Sequence, residues 1–142
     1  MLVRLLYASR AKSPINDELV SSILAQSRKN NPESGVTGIL CVCHGEVFMQ
    51  VLEGGRAEVN ALYAKVLRDE RHSDVMLLGY DEITERRFCG WRMGRVDLDR
   101  VNAAIVLKYS DKPRLDPFRI SGRVAMQLLE ELVSTASIVG GS

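Results

Sequence analysis

Several classes of protein are excluded by what this sequence has little of. It carries three cysteines, Cys41, Cys43 and Cys89, an odd number in a chain large enough to need no staples, so a secreted disulfide scaffold is ruled out. No stretch approaches the roughly 18 consecutive apolar residues of a membrane span, and Met1-Leu2-Val3-Arg4 does not lead into a signal-peptide pattern. The expectation is a cytoplasmic protein without a membrane partner. Excess charge of either sign is also missing: 19 basic against 18 acidic residues leave a formal net charge of +1, and the basic residues are scattered. A nucleic-acid partner is therefore not expected. No GxGxxG phosphate loop occurs. Aromatics make up only 6% of the chain, with a single tryptophan, Trp91.

What is present suits one soluble domain: 142 residues, 46% of them apolar and 26% charged, enough to bury a real core. Residues 2–8 form a short apolar run that reads as a buried strand. Asn16 is a candidate N-cap followed by acidic residues, and Leu19, Val20, Ile23, Leu24 and Ser27 recur at helical spacing until Pro32 ends the helix at Asn30-Asn31. Residues 39–43 and 47–52 flank His44-Gly45-Glu46 and read as a hairpin. A second amphipathic helix is expected over Arg56–Arg68, then strands over Val75–Tyr80 and Phe88–Val96. The order strand, helix, strand, strand, helix, strand, strand is the α+β, ferredoxin-like arrangement, with two helices on one face of the sheet. Beyond it, Ile120, Val124, Leu128, Leu129, Leu132 and Val133 make a last helical stripe for the opposite face, and Ile138–Ser142 are expected to fray.

Two polar groups stand out inside the apolar strands, Tyr7 and Gln50. Each can donate and accept hydrogen bonds, and burying either without a partner is costly. Tyr7 alone fits a buried aromatic with a satisfied hydroxyl, whereas an amide inside an apolar strand asks for a partner. Cys41 and Cys43 share one face of their strand, but this CxC pair lacks a second ligand pair and has only His44 nearby, so the cysteines read as small buried hydrophobes and no metal is expected.

Six segments in order carry a family resemblance: Leu5-Leu6-Tyr7-Ala8-Ser9, Asn30-Asn31-Pro32, Val36-Thr37-Gly38-Ile39-Leu40, Phe48-Met49-Gln50-Val51-Leu52-Glu53-Gly54, Asp69-Glu70-Arg71-His72 and Arg87-Phe88-Cys89-Gly90-Trp91-Arg92-Met93. Over residues 1–97 the chain resembles the BLUF family, blue-light sensors that use FAD, with residues 98–142 as a C-terminal helical extension that caps the sheet and carries output. The resemblance implies that Tyr7 hydrogen-bonds Gln50 and that Gln50 bridges Tyr7 to the flavin. Light then drives electron and proton transfer from Tyr7, and Gln50 rotates or tautomerises. It also implies cofactor contacts from Asn30 and Asn31, with Ser27 and Ile23 facing the same cleft, and from Lys65, Asp69, Arg71 and His72 on the other wall. Trp91 and Met93, two residues apart on one expected strand, would share a face and carry the signal outward. Without a dinucleotide loop the adenine end would be loosely held, so FMN or riboflavin could substitute for FAD.

The resemblance further implies a separate effector protein, such as a cyclic-di-GMP phosphodiesterase or a response-regulator-like protein, and a homodimer or higher oligomer is expected. Two other classes compete. A flavin-dependent redox enzyme lacks a catalytic constellation here. A cofactor-free ferredoxin-like interaction module would leave Gln50 and Asn31 unexplained.

Overall fold

The computed structural model describes residues 1–135, and for residues 26–34 the backbone alone. The expectations for Ile138–Ser142 and for the side chains of Ser27, Asn30 and Asn31 lie outside the described residues. The elements are β1 (Leu2–Ala11), α1 (Asp17–Ser34), β2 (Thr37–Cys43), β3 (Val47–Gly55), α2 (Arg56–Arg68), β4 (His72–Ile83), β5 (Gly94–Asp97), a 3-10 turn over Leu98–Arg100, α3 (Ala103–Tyr109) and α4 (Gly122–Ser134). Five strands form one sheet in the order β4-β1-β3-β2-β5. Its pairings are antiparallel except for β2 with β5, which are parallel. This is the expected α+β, ferredoxin-like order with a fifth strand added at the β2 edge.

Alternation along the strands divides the core into two layers. Val3, Leu5 and Tyr7 of β1, with Phe48 and Leu52 of β3, pack under Val20, Ile23 and Leu24 of α1 and Val59 of α2. Leu6, Met49, Val51 and Cys41 face the opposite way, against Val106 of α3 and Ala125, Leu128, Leu129 and Leu132 of α4. The C-terminal stripe thus covers the second face as anticipated. Gly122 lets α4 approach closely, because a Cβ there would lie 2.5 Å from the Leu78 carbonyl oxygen of β4. The β2–β3 hairpin turns through His44 and Gly45, both with positive φ (58° and 65°), a conformation that glycine adopts freely.

The structure departs from the sequence expectations in several places. Asn16 does cap α1, its Oδ1 accepting from the Leu19 amide at 2.8 Å, but the helix runs through Pro32 to Ser34; a proline removes a single donor, and the remaining ladder carries the last turn. β4 is twelve residues long and starts at His72, because β1 offers it a partner along its whole length. The strand expected over Phe88–Val96 is confined to Gly94–Asp97. The irregular segment before it crosses the end of the sheet from the α4 side to the α1 side. Fully buried Glu53 holds this strap: its carboxyl oxygens accept from the Arg87 amide at 2.9 Å and the Phe88 amide at 2.7 Å, and pair with Arg4 at 2.8 Å.

That crossing separates Trp91 from Met93. Met93 is fully buried in the α1/α2 layer, while Trp91 packs against the α4 layer. They do not share a face, since the two-residue alternation holds only in strand backbone and neither residue is in a strand.

Candidate functional site

Register places the key pair. β1 and β3 align Tyr7 directly opposite Gln50, and cross-strand partners project from the same face. The Tyr7 hydroxyl donates to Gln50 Oε1 at 2.5 Å, and Gln50 Nε2 donates to Met93 Sδ at 3.2 Å. A phenol, an amide and a thioether therefore form one buried chain. Burial, reinforced by Tyr63 and Asp69 and opposed by Arg71, pushes the Tyr7 phenol far above its ordinary pKa, so its proton is held at neutral pH.

Aromatic and charged groups surround this chain. The Tyr63 ring of α2 lies 5.5 Å from that of Tyr7, and the His72 ring 6.5 Å from it, edge-on. His72 also lies 5.2 Å from the Phe48 ring, and its Nδ1 is 2.7 Å from Ser9 Oγ. Asp69, the C-cap of α2, receives Arg71 Nε at 3.0 Å and the Arg71 amide at 2.9 Å. Arg71 Nη1 then reaches Ser22 Oγ of α1 at 3.0 Å, linking the two helices. The Arg71 guanidinium holds the Asp69 carboxyl below its usual range, with burial working the other way.

Of the residues singled out in the sequence, the structure brings together Tyr7, Gln50, Met93, Ile23, Asp69, Arg71 and His72. Lys65 is exposed on α2 and has no polar partner among the described residues. Ser9, Ser22 and Tyr63 were missed. Ser9 was legible as the next residue after Tyr7 on the same strand face, and Tyr63 as part of the α2 stripe. Nothing local marked Ser22.

The amide of Gln50 tests whether a flavin suits this place. It is 2% exposed, its oxygen is taken by Tyr7, and one Nε2 hydrogen goes to a weak sulfur acceptor. Its second hydrogen has no acceptor among the described residues. A heteroaromatic ring whose edge carries a carbonyl and a ring nitrogen would satisfy it, so the donor set fits.

Residues 2–94 match the family described as sensors of blue-light using FAD, BLUF. The chain belongs to that family. The BLUF match spans β1 to β4, reaches the first residue of β5 and includes both helices of the first face. Among curated relatives, the blue light- and temperature-regulated antirepressor BluF of Escherichia coli (strain K12) is 32% identical over 88 residues, 62% of this chain and 22% of the antirepressor. The photoactivated adenylate cyclase subunit beta of Euglena longa is 33% identical over 87 residues, 61% of this chain and 10% of the subunit. The chain thus spans less than a quarter of the length of these two relatives. Among solved structures, BlsA in its photo-activated state superposes with a TM-score of 0.82 at 29% identity, covering 94% of this chain and 95% of that one. BlrB, a BLUF protein in its dark state, gives 0.78 at 27% identity over 95% and 96%. The family is one of blue-light sensors that use a flavin, which favours a light sensor over the redox-enzyme and cofactor-free alternatives.

Proposed function

We propose that this chain binds FAD against the Tyr7–Gln50 pair, under α1 and α2, and signals blue light by rearranging the Gln50 hydrogen bonds. The observation that carries the reading is the continuous buried chain Tyr7–Gln50–Met93, with an amide hydrogen on Gln50 that has no acceptor among the described residues. When bound, the flavin supplies blue-light absorption and, once excited, a strong oxidant. Tyr7 is the oxidisable group beside it. As Tyr7 loses an electron, its phenol becomes strongly acidic, and the only acceptor on its hydroxyl among the described residues is Gln50 Oε1. Gln50 has a donor end and an acceptor end, so taking a proton on one end and releasing one from the other, or turning by half a rotation, exchanges what it presents to each neighbour. When Tyr7 recovers its electron and proton, only the hydrogen-bond pattern differs.

Met93 is the first protein group to feel that change, because it accepts from Gln50 Nε2. Asp69 and Arg71 would hold the polar edge of the ring, where a guanidinium suits a carbonyl oxygen. Ile23, Ser27, Asn30 and Asn31 would form the α1 wall, with His72 beside the ring. FMN or riboflavin would substitute where the adenine end is loosely held. Residues 98–142 would form the output surface, acting on a separate effector protein, with a cyclic-di-GMP phosphodiesterase or a response-regulator-like protein as candidates and a homodimer as the assembly.

The test is the visible spectrum of the purified protein before, during and after blue illumination, beside Gln50→Leu. A flavin band that moves slightly to the red without bleaching, recovers in the dark and is unresponsive in Gln50→Leu supports the proposal. A band that bleaches to reduced flavin, or a full response in Gln50→Leu, overturns it.

A further inference from the structure

His72 reaches the α1/α2 layer through an irregularity in β4. Leu6 pairs with Gly79, yet Tyr7 pairs with Leu77, and after Ala8 opposite Met76 the ladder resumes with Arg10 opposite Ser73. β4 therefore carries an extra residue twice. The second bulge contains Asp74, with a φ of 50°. Continued without it, the Ala8–Met76 register would set Ser73 opposite Ala11 and turn His72 to the α4 face, because a one-residue slip reverses every side chain beyond it. The bulge instead pairs His72 with Ala11, on the face of Tyr7 and Ser9.

There the two polar groups determine each other's protonation. Ser9 is fully buried, and its sole polar side-chain contact among the described residues is His72 Nδ1 at 2.7 Å. If Nδ1 carried a hydrogen and donated it to Ser9, the hydroxyl hydrogen would be buried without an acceptor, an arrangement native interiors avoid. Ser9 must donate, Nδ1 must accept, and the imidazole hydrogen then resides on Nε2. Burial also disfavours a charged imidazole, reinforced by Arg71 and opposed by Asp69. The ring is 6% exposed and wedged between Phe48 and Tyr7, and its Nε2–H has no acceptor among the described residues.

We propose that Ser9 is a positioning residue that locks His72 as the Nε2–H tautomer, so that a buried donor is presented to an acceptor atom of the bound flavin. The acceptor's identity rests on the flavin reading above; the Ser9–His72 lock does not. Sequence attention to His72 alone could not reveal the lock, since Ser9 lies 63 residues away and meets it only because of the bulge.

The chain has two histidines, so nitrogen-15 NMR of the imidazoles is simple to assign, with His44→Asn identifying the other. In the flavin-loaded protein the His72 resonances should report hydrogen on Nε2 alone, and that proton's shift should move when flavin is removed. Ser9→Ala should give a mixture of tautomers and weaken flavin binding about three- to tenfold, the effect of one neutral hydrogen bond. His72→Phe, which keeps an aromatic ring, should weaken binding by a similar factor, and the double variant no further than either single one. Hydrogen on Nδ1 in the unsubstituted protein, or an unchanged single tautomer in Ser9→Ala, overturns the proposal. If Ser9→Ala does not fold, the tautomer of the unsubstituted protein decides. A protein with the predicted tautomer that takes up no flavin would sink the flavin reading and leave the Ser9–His72 lock standing.

Discussion

At the scale of single residues the site is a set of buried polar groups, each with few places to send its hydrogens. Tyr7→Phe should retain flavin and lose the light-induced red shift, since the ring remains and the oxidisable hydroxyl does not; a persisting shift in the illuminated spectrum would refute this. Two groups also tie stability to pH. The pKa of His72 is lowered on folding, chiefly by burial, and that of Asp69 is lowered chiefly by its Arg71 hydrogen bond. In both cases the unfolded chain binds protons more readily than the folded one, so their stabilisation is complete above the ordinary pKa and is lost as pH falls through the folded one. Denaturant midpoints should therefore fall first as pH drops below the ordinary histidine range, and again below the ordinary carboxylate range. His72→Phe should remove the first decline and Asp69→Asn should flatten the second. Glu53 ties the strap to the sheet, because it satisfies two strap amides and Arg4 at once. Glu53→Ala should cost about 3 kcal/mol in urea unfolding by stranding a part-buried guanidinium and two strap amides.

At the scale of elements, sequence and structure agree where a single periodicity governs and part where it is interrupted. The α2 boundaries, Arg56–Arg68, and the β2–β3 hairpin were legible because an unbroken apolar stripe or a glycine turn set them. The pairing of Tyr7 with Gln50 was legible as two polar groups needing partners in adjacent strands. The faces of Trp91 and Met93 were not, because two-residue alternation was applied to a strap that is not a strand. The β4 bulges were equally hidden: an inserted residue leaves the composition of the strand unchanged while reversing which side chains face inward. Asp74→Val should destabilise the fold by about 1 kcal/mol, since a branched side chain tolerates the left-handed backbone poorly. Deleting Asp74 should do something different, turning His72 out of the α1/α2 layer and lowering flavin affinity, as a flavin titration would read.

At the scale of the whole molecule, the sheet separates the layer beneath α1 and α2, which holds Tyr7 and Met93, from a second layer beneath α3 and α4. No helix among the described residues is long and apolar enough to cross a membrane, and the apolar stripe of α4 is spent on the sheet: Leu128, Leu129 and Leu132 are fully buried. Leu128→Ala should cost about 3 kcal/mol, the usual effect of emptying such a site. If the strap carries the signal between layers, amide exchange in α4 should change under illumination in the unsubstituted protein and remain unchanged in Met93→Ala.

The position of the strap also has a thermodynamic corollary. Met93 touches Gln50 in one layer while Trp91, two residues earlier, lies in the other, so the same short segment faces both compartments. Coupling through such a segment cannot run one way: an effect of Gln50 on affinity at the α4 face entails an equal effect of occupancy at that face on the equilibrium of Gln50. A protein seated on α4 that favours one arrangement of the amide would therefore leave its mark on the colour of the flavin in the dark, making the chromophore a gauge of docking as well as of light.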